Sequence, residues 1–561
     1  MSTLDRRSML GYSALGAGLG LAGLPSMAEA APNIYAHDGV ERWLIDDTSA
    51  VADTECGKVM GYIRGDIRIF KGVPYGQVLK PEDRWKRSAK VTPWAGKRSA
   101  RAPGPICPAQ DISAPIDEVA LRDSDLMLSR SGEDCLRLNI WTPGLDGKKR
   151  NVLFYCHGGG FGAGSALMAA RYEAHNLSKY GDVVVVSLTH RLNALGFLNL
   201  TAYGPRYADS ANLGMLDVVD ALKWVKTNIA NFGGDPAKVM IFGHSGGGAK
   251  VLTLLSMPEA KGLFNRAVSH SPGPMPFSTP DQSAALAATY LKMVGVSGNN
   301  LDALYKMPVD RLVTPAVFLN KQYQRTRELY AQWHTPENVG WRPTVDGKTV
   351  LYQPTSPTVA EVPLMTGTTL HELYGALGHP EYASMKETEA RGIVRGFFGP
   401  VGDGIYDTYK NAFPKSIPYE ITAMARATGS MRAYIVKAAQ RRAALNGAPT
   451  YNYWLQWRAN TFEGRAMSHH EIEMPLVFMN SDAVPTTTGG GADARALSVK
   501  MTDAWLAFAR SGNPGTAALP HWNPVTPKTL NTMVFNNDCH IDHDTDLAAI
   551  ESFWKDRFPK A

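Results

Sequence analysis

Val183–Leu188 (Val-Val-Val-Val-Ser-Leu) and Val239–Phe242 (Val-Met-Ile-Phe) are short runs in which almost every side chain is apolar. A strand of that composition is stable only with both faces covered. Between the two runs, Leu216, Val219, Leu222, Val225 and Ile229 recur at helical spacing, and Gly233 stands where such a helix would stop. Parallel neighbours need a long crossover between them, and a helix of this length supplies it. Leu138–Trp141, Val152–Cys156, Arg266–His270, Leu364–Gly367 and Tyr451–Trp457 read as further strands. The expected fold class is therefore α/β: a large, mostly parallel central sheet flanked by helices. No internal repeat interrupts it. Asn480–Ala494, rich in Gly and Thr, reads as a loop and not as a domain linker, because helical pattern resumes on both sides.

The 561 residues are 44% apolar and 20% charged, a profile of a soluble globular chain. The first thirty residues stand apart from this. Arg6-Arg7 precede a Gly/Ala-rich, weakly apolar run to Leu24, and Ala28-Glu29-Ala30 has the form of a cleavage site. The twin arginines read as an export signal, so residues 1–30 are expected to be a leader and 31–561 one domain. The expected location is periplasmic or secreted. The run is too short and too poor in large apolar residues for a bilayer span, and no later segment is apolar enough for one. The net charge of +6 is spread along the chain without a basic run interleaved by aromatics, which argues against nucleic acid as a partner.

Gly243-His244-Ser245-Gly246-Gly247 follows the apolar run Val239–Phe242 and precedes a helical stretch, Ala249–Met257. A serine at a tight strand-to-helix turn is strained and exposed, and its neighbours must be glycine where backbones approach closely. The N–H after the serine then points, with the helix N-terminus, at an oxygen that becomes negative during acyl transfer. A second donor site is expected in Tyr155-Cys156-His157-Gly158-Gly159-Gly160-Phe161, where three glycines follow the end of another apolar strand. Ser245 is thus a candidate nucleophile, with an oxyanion donor expected at the residue after it.

Four longer stretches carry a resemblance. Phe70–Gly76 (FKGVPYG), Gly132–Pro143 (GEDCLRLNIWTP), His157–Phe161 (HGGGF) and Phe232–Gly247 (FGGDPAKVMIFGHSGG) are similar to motifs of the type-B carboxylesterases. This α/β-hydrolase family includes cholinesterases, bile-salt-activated lipases and bacterial para-nitrobenzyl esterases. The resemblance runs from about Gly57 to the C-terminus. It implies a serine hydrolase of carboxylic esters with a Ser–Glu–His triad, oxyanion donors from Gly159, Gly160 and Gly246, a small-molecule ester substrate and no cofactor.

By the same resemblance Glu372 is the acid, five positions after Gly367. His371 beside it departs from the acidic or polar residue common there. The base is His470, because the family's histidine precedes Glu-apolar-Pro by three positions, here Glu473-Met474-Pro475. The adjacent His469 is then expected to be a loop histidine near the rim. Cys107 and Cys135 match the family's first disulfide, leaving Cys56, Cys156 and Cys539 free, and Arg191 with Asp217 matches a structural ion pair. Cys539–Asp546 (CHIDHDTD) has the composition of metal ligands, but the implied mechanism needs no metal and none is assigned. An amide or carbamate hydrolase on the same site is the same-class alternative. A non-catalytic interaction module is the other, and an intact nucleophile argues against it.

Overall fold

The computed structural model describes residues 42–109, 131–166, 170–273, 276–329, 340–376 and 379–557. The expected leader lies outside the described residues, as do residues 110–130 between Cys107 and Cys135. The described residues belong to one compact unit, Gly39–Ala561.

Twelve strands build the main sheet. In chain order they are β1 (Trp43–Leu44), β2 (Tyr62–Arg64), β3 (Ile67–Pro74), β4 (Arg137–Thr142), β5 (Arg150–Cys156) and β6 (Val184–Thr189). There follow β7 (Gly234–His244), β8 (Arg266–His270), β9 (Leu364–Thr369), β10 (Thr450–Leu455), β11 (Thr532–Phe535) and β12 (His540–Asp542). The order across the sheet is β1-β2-β3-β4-β6-β5-β7-β8-β9-β10-β11-β12. From β6 across to β11 every neighbouring pair is parallel. Antiparallel strands complete both sides. A smaller sheet joins Val51–Thr54, Gly57–Met60 and Lys97–Ser99.

Side-chain alternation explains why the central runs are apolar throughout. In β5, Val152, Phe154 and Cys156 enter one core while Leu153 and Tyr155 enter the other. In β7, Val239 and Ile241 face the first core, Met240 and Phe242 the second. Helix α1 (Leu213–Asn228) covers the first face with Leu213, Met215, Leu216, Val219 and Leu222. The second face is covered by Leu497, Met501, Ala504, Trp505 and Phe508 of the helix Ala492–Ser511. Truncating one such buried side chain, as in Leu222→Ala, removes contacts worth about 2–5 kcal/mol.

Helix α1 passes into a short 3-10 turn, Ile229–Phe232, and ends at Gly233 with φ 78°. A Cβ there would sit 2.2 Å from the Gly144 carbonyl oxygen, so both the backbone angle and the close approach demand glycine. The expected loop at 480–494 is only partly a loop. Pro485–Thr488 forms a helical turn opened by proline, and a long helix starts at Ala492. Among the described residues no helix is long and apolar enough to cross a membrane.

Candidate active site

Three adjacent strands end in a row of unusual backbone angles. Ser245 follows β7 with φ 58°, Ser271 follows β8 with φ 41°, and Glu372 lies just past β9 with φ 50°. Such angles cost a non-glycine residue on the order of 1–3 kcal/mol and persist where the surroundings enforce them. Here backbone bonds to the next strand do so. Ser245 N donates to the His270 carbonyl oxygen at 2.9 Å, and Ser271 N donates to the Gly367 carbonyl oxygen at 2.8 Å.

The serine turn leads into α2 (Gly246–Leu254), and its glycines are fixed by crowding. A Cβ on Gly246 would meet Gly160 N at 2.4 Å, and one on Gly247 would meet the Cys156 carbonyl oxygen at 2.0 Å. The loop after β5 is therefore packed onto the start of α2. Gly159 and Gly160 adopt φ 89° and 63°, and a Cβ on Gly158 would lie 3.5 Å from Ser245 Cβ. The three candidate donors, Gly159, Gly160 and Gly246, come together beside the serine.

Glu372 is fully buried. Its Oε1 accepts from Thr369 N at 2.9 Å and from Ser271 Oγ at 2.8 Å, and its Oε2 pairs with His470 Nδ1. His470 N also donates to the Glu372 carbonyl oxygen at 2.9 Å. The carboxylate is thus held by two donors besides the histidine. Neither Ser271 nor Thr369 stood out in sequence, although Ser271 ends the strand-terminal group Ser269-His270-Ser271.

Behind this pair lies a second buried carboxylate, Glu473. Tyr453 Oη donates to it at 2.8 Å and Ser271 Oγ at 3.4 Å, so one serine hydroxyl touches both carboxylates. The His244 ring lies 4.3 Å from the His470 ring and is fully buried. Burial, followed by repulsion from His470 and His270, holds His244 well below the ordinary imidazole range, so it is neutral. His371 is likewise buried and driven neutral, chiefly by desolvation, and its Nδ1 accepts from Ser468 N at 3.3 Å. The departure at position 371 therefore adds no charge beside Glu372.

The expectation for His469 is corrected. His469 is not at the rim: it is 1% exposed. A backbone bridge between Glu372 and His469, with His371 N donating to the Ser468 carbonyl oxygen at 3.1 Å, draws that segment inward.

Cys107 and Cys135 lie side by side in a small apolar cluster with Leu192, Leu195 and Val313. The expected bond between them is not formed here, and both are free thiols. Cys107 Sγ accepts from Leu192 N at 3.2 Å, while a hydrogen bond with Cys107 and burial push the Cys135 thiol well above its usual range. Cys56, Cys156 and Cys539 are also free. Arg191 and Asp217 form the expected buried pair, with Nε–Oδ2 at 2.8 Å and Nη2–Oδ1 at 2.5 Å. Arg191 Nη1 donates to the carbonyls of Arg84 and Lys86, which ties the 84–86 segment to the sheet. Among the described residues, Cys539–Asp546 included, no three His, Cys, Asp or Glu side chains gather as a metal site would need.

The model of the carboxylesterase family matches residues 48–552. A para-nitrobenzyl esterase of Bacillus subtilis is 31% identical over 509 residues, covering 89% of this chain and 97% of that protein. A phenmedipham hydrolase of Pseudarthrobacter oxydans is 28% identical over 484 residues, 85% of this chain and 92% of the relative. Among solved structures, an esterase from Clostridium hathewayi, described as able to hydrolyse aliphatic aromatic polyesters, matches with a TM-score of 0.78 at 31% identity. That match covers 92% of this chain and 100% of the other. Sheet order, serine turn and family match agree: the chain belongs to the carboxylesterase family and is a carboxylic-ester hydrolase of the α/β-hydrolase fold.

Proposed function

We propose that Ser245, His470 and Glu372 form the triad of this esterase, with the N–H groups of Gly159, Gly160 and Gly246 as its oxyanion hole. The observation that carries the reading is the double tie between His470 and the buried Glu372, with one strand, β8, between Glu372 and the strained Ser245 turn. Ser245 Oγ attacks the ester carbonyl carbon while its proton passes to His470 Nε2. The carbonyl electron pair moves onto oxygen, which the N–H groups receive. The intermediate collapses, the C–O bond to the alcohol breaks, and His470 returns the proton to the leaving alcohol. Water then repeats the sequence on the acyl-serine, releasing the acid. Glu372 fixes the ring and its tautomer and stabilises the imidazolium.

The substrate is a small-molecule ester, and the activity named for the Bacillus subtilis relative makes para-nitrobenzyl esters the first probes. Residues 1–30 act as a twin-arginine leader and the mature enzyme works outside the cytoplasm. There, an oxidising environment joins the adjacent Cys107 and Cys135 sulfurs. The test is a fluorophosphonate probe followed by peptide mapping. Label on Ser245 in the native protein, and none in folded Ser245→Ala, supports the assignment; a folded variant that keeps more than a few per cent of kcat ends it.

A further inference from the structure

Lys250 is completely buried on α2, four positions after Gly246 and so on the same face of the helix. Its Nζ donates to the carbonyl oxygens of His157 and Gly160, each at 2.9 Å. These two peptides bracket the pair whose N–H groups belong to Gly159 and Gly160. Among the described residues this ammonium is bonded to carbonyl oxygens and paired with no carboxylate, which is costly for a buried cation. A helix that needed only a space-filling residue there would be served better by leucine or methionine.

We propose that Lys250 is a positioning residue of the oxyanion hole, clamping the donor loop from behind and adding a positive charge that stabilises the tetrahedral oxyanion. The inference rests on the reading of Ser245 and Gly159, Gly160 and Gly246 given above. Its physics separates into two parts. The clamp needs two N–H donors, which a neutral amine retains. The charge needs the proton, and its field acts over a short path with little water to screen it.

Burial brings the Lys250 amine down to about 7, so the two parts come apart near neutral pH. The groups that face it do not titrate alongside. From β5 and its loop, the Cys156 thiol is pushed up to about 12 by burial and His157 is held neutral by desolvation. From the segment after β6, His190 is held neutral for the same reason, and Arg191 beside it keeps a permanent charge. Phe161 presents its ring 5.3 Å from Nζ.

The test uses full-length enzyme, a para-nitrobenzyl ester and a trifluoromethyl ketone, whose adduct with serine places an oxyanion in the hole. Lys250→Met is expected to lower kcat about ten- to a hundred-fold, less than the ~100- to 1000-fold that loss of a donor itself costs, with KM moving far less. In the wild type, ketone affinity should weaken between about pH 6 and pH 9 as Lys250 loses its proton. Lys250→Met should remove that weakening. Lys250→Gln, which keeps a donor without charge, should recover part of kcat and none of the pH dependence. A Lys250→Met enzyme with wild-type kcat and an unchanged ketone profile overturns the proposal. If that variant does not fold, Lys250→Gln is read instead, and a wild-type ketone profile in it overturns the proposal. Fluorophosphonate labelling of wild-type Ser245 separates the two claims, since its failure would strike the triad and not Lys250 alone.

Discussion

His470 and Glu372 are joined at two levels, ring to carboxylate and main-chain N–H to main-chain carbonyl at 2.9 Å. The backbone bond fixes where the histidine sits, and the side-chain pair fixes how its ring turns. Glu372→Gln should therefore keep the fold, because the amide oxygen still accepts from Ser271 and Thr369 N. Its NH2 would face Nδ1 and force the other tautomer, leaving Nε2 unable to take a proton. Loss of kcat on the order of 10⁴-fold is expected, as for the corresponding change in a serine protease. Steady-state kinetics on folded variant checks it.

His470→Ala should lose at least ~1000-fold in kcat. His469→Ala should leave most of kcat and instead lower the melting temperature, because that side chain is 1% exposed and its removal opens a void. A reversed pattern would show that the register was chosen wrongly.

Acid should destabilise this protein early. His157, His190, His244 and His371 are buried, and desolvation holds each well below 6.5. In the unfolded chain each takes a proton below about pH 6.5, so there the unfolded state binds more protons and stability falls as pH falls. Each histidine contributes up to about 1.4 kcal/mol per pH unit. Urea midpoints measured from pH 8 to pH 5 should drop through that window; a flat curve would contradict the burial argument.

Non-reducing peptide mapping of exported protein should find Cys107 joined to Cys135 and the other three cysteines free. A bridge to Cys156, which lies inside β5, or full reduction of exported material would refute this.

Choline esters should be poor substrates. No tryptophan occurs between Cys107 and Cys135 to stack on a quaternary ammonium, and neutral His244 precedes the serine where cholinesterases have a glutamate. Acetylthiocholine hydrolysed as fast as a neutral ester of equal acyl length would count against it.

The serine was legible because its evidence is local: an apolar strand, a glycine-flanked turn and a helix fall within about twenty residues. The central strands were legible because burial on both faces removes polar residues. Glu372 and His470 were reached only through the resemblance, since neither a positive φ nor a double tie leaves a compositional trace. Lys250 was hidden in the helix text Ala249–Met257, where a lysine ordinarily marks a solvated face. The burial of His469 was missed because nothing in a His-His pair tells which ring a neighbouring backbone bridge will cover. Strands as short as β1 and β2 are likewise below what alternation can reveal.

The parallel pairing of Ala267 with Leu364 joins residues roughly a hundred positions apart, and Leu364 with Thr450 almost as many. Neither contact can be made until a long loop has closed, so little in this sheet can nucleate from neighbours in the chain. Folding should be slow, and intermediates should expose unpaired apolar strand edges that associate when concentrated. Hydrolytic activity then becomes a late clock for renaturation: Ser245 after β7 and His470 after β10 meet only once the strands between them have all found their places.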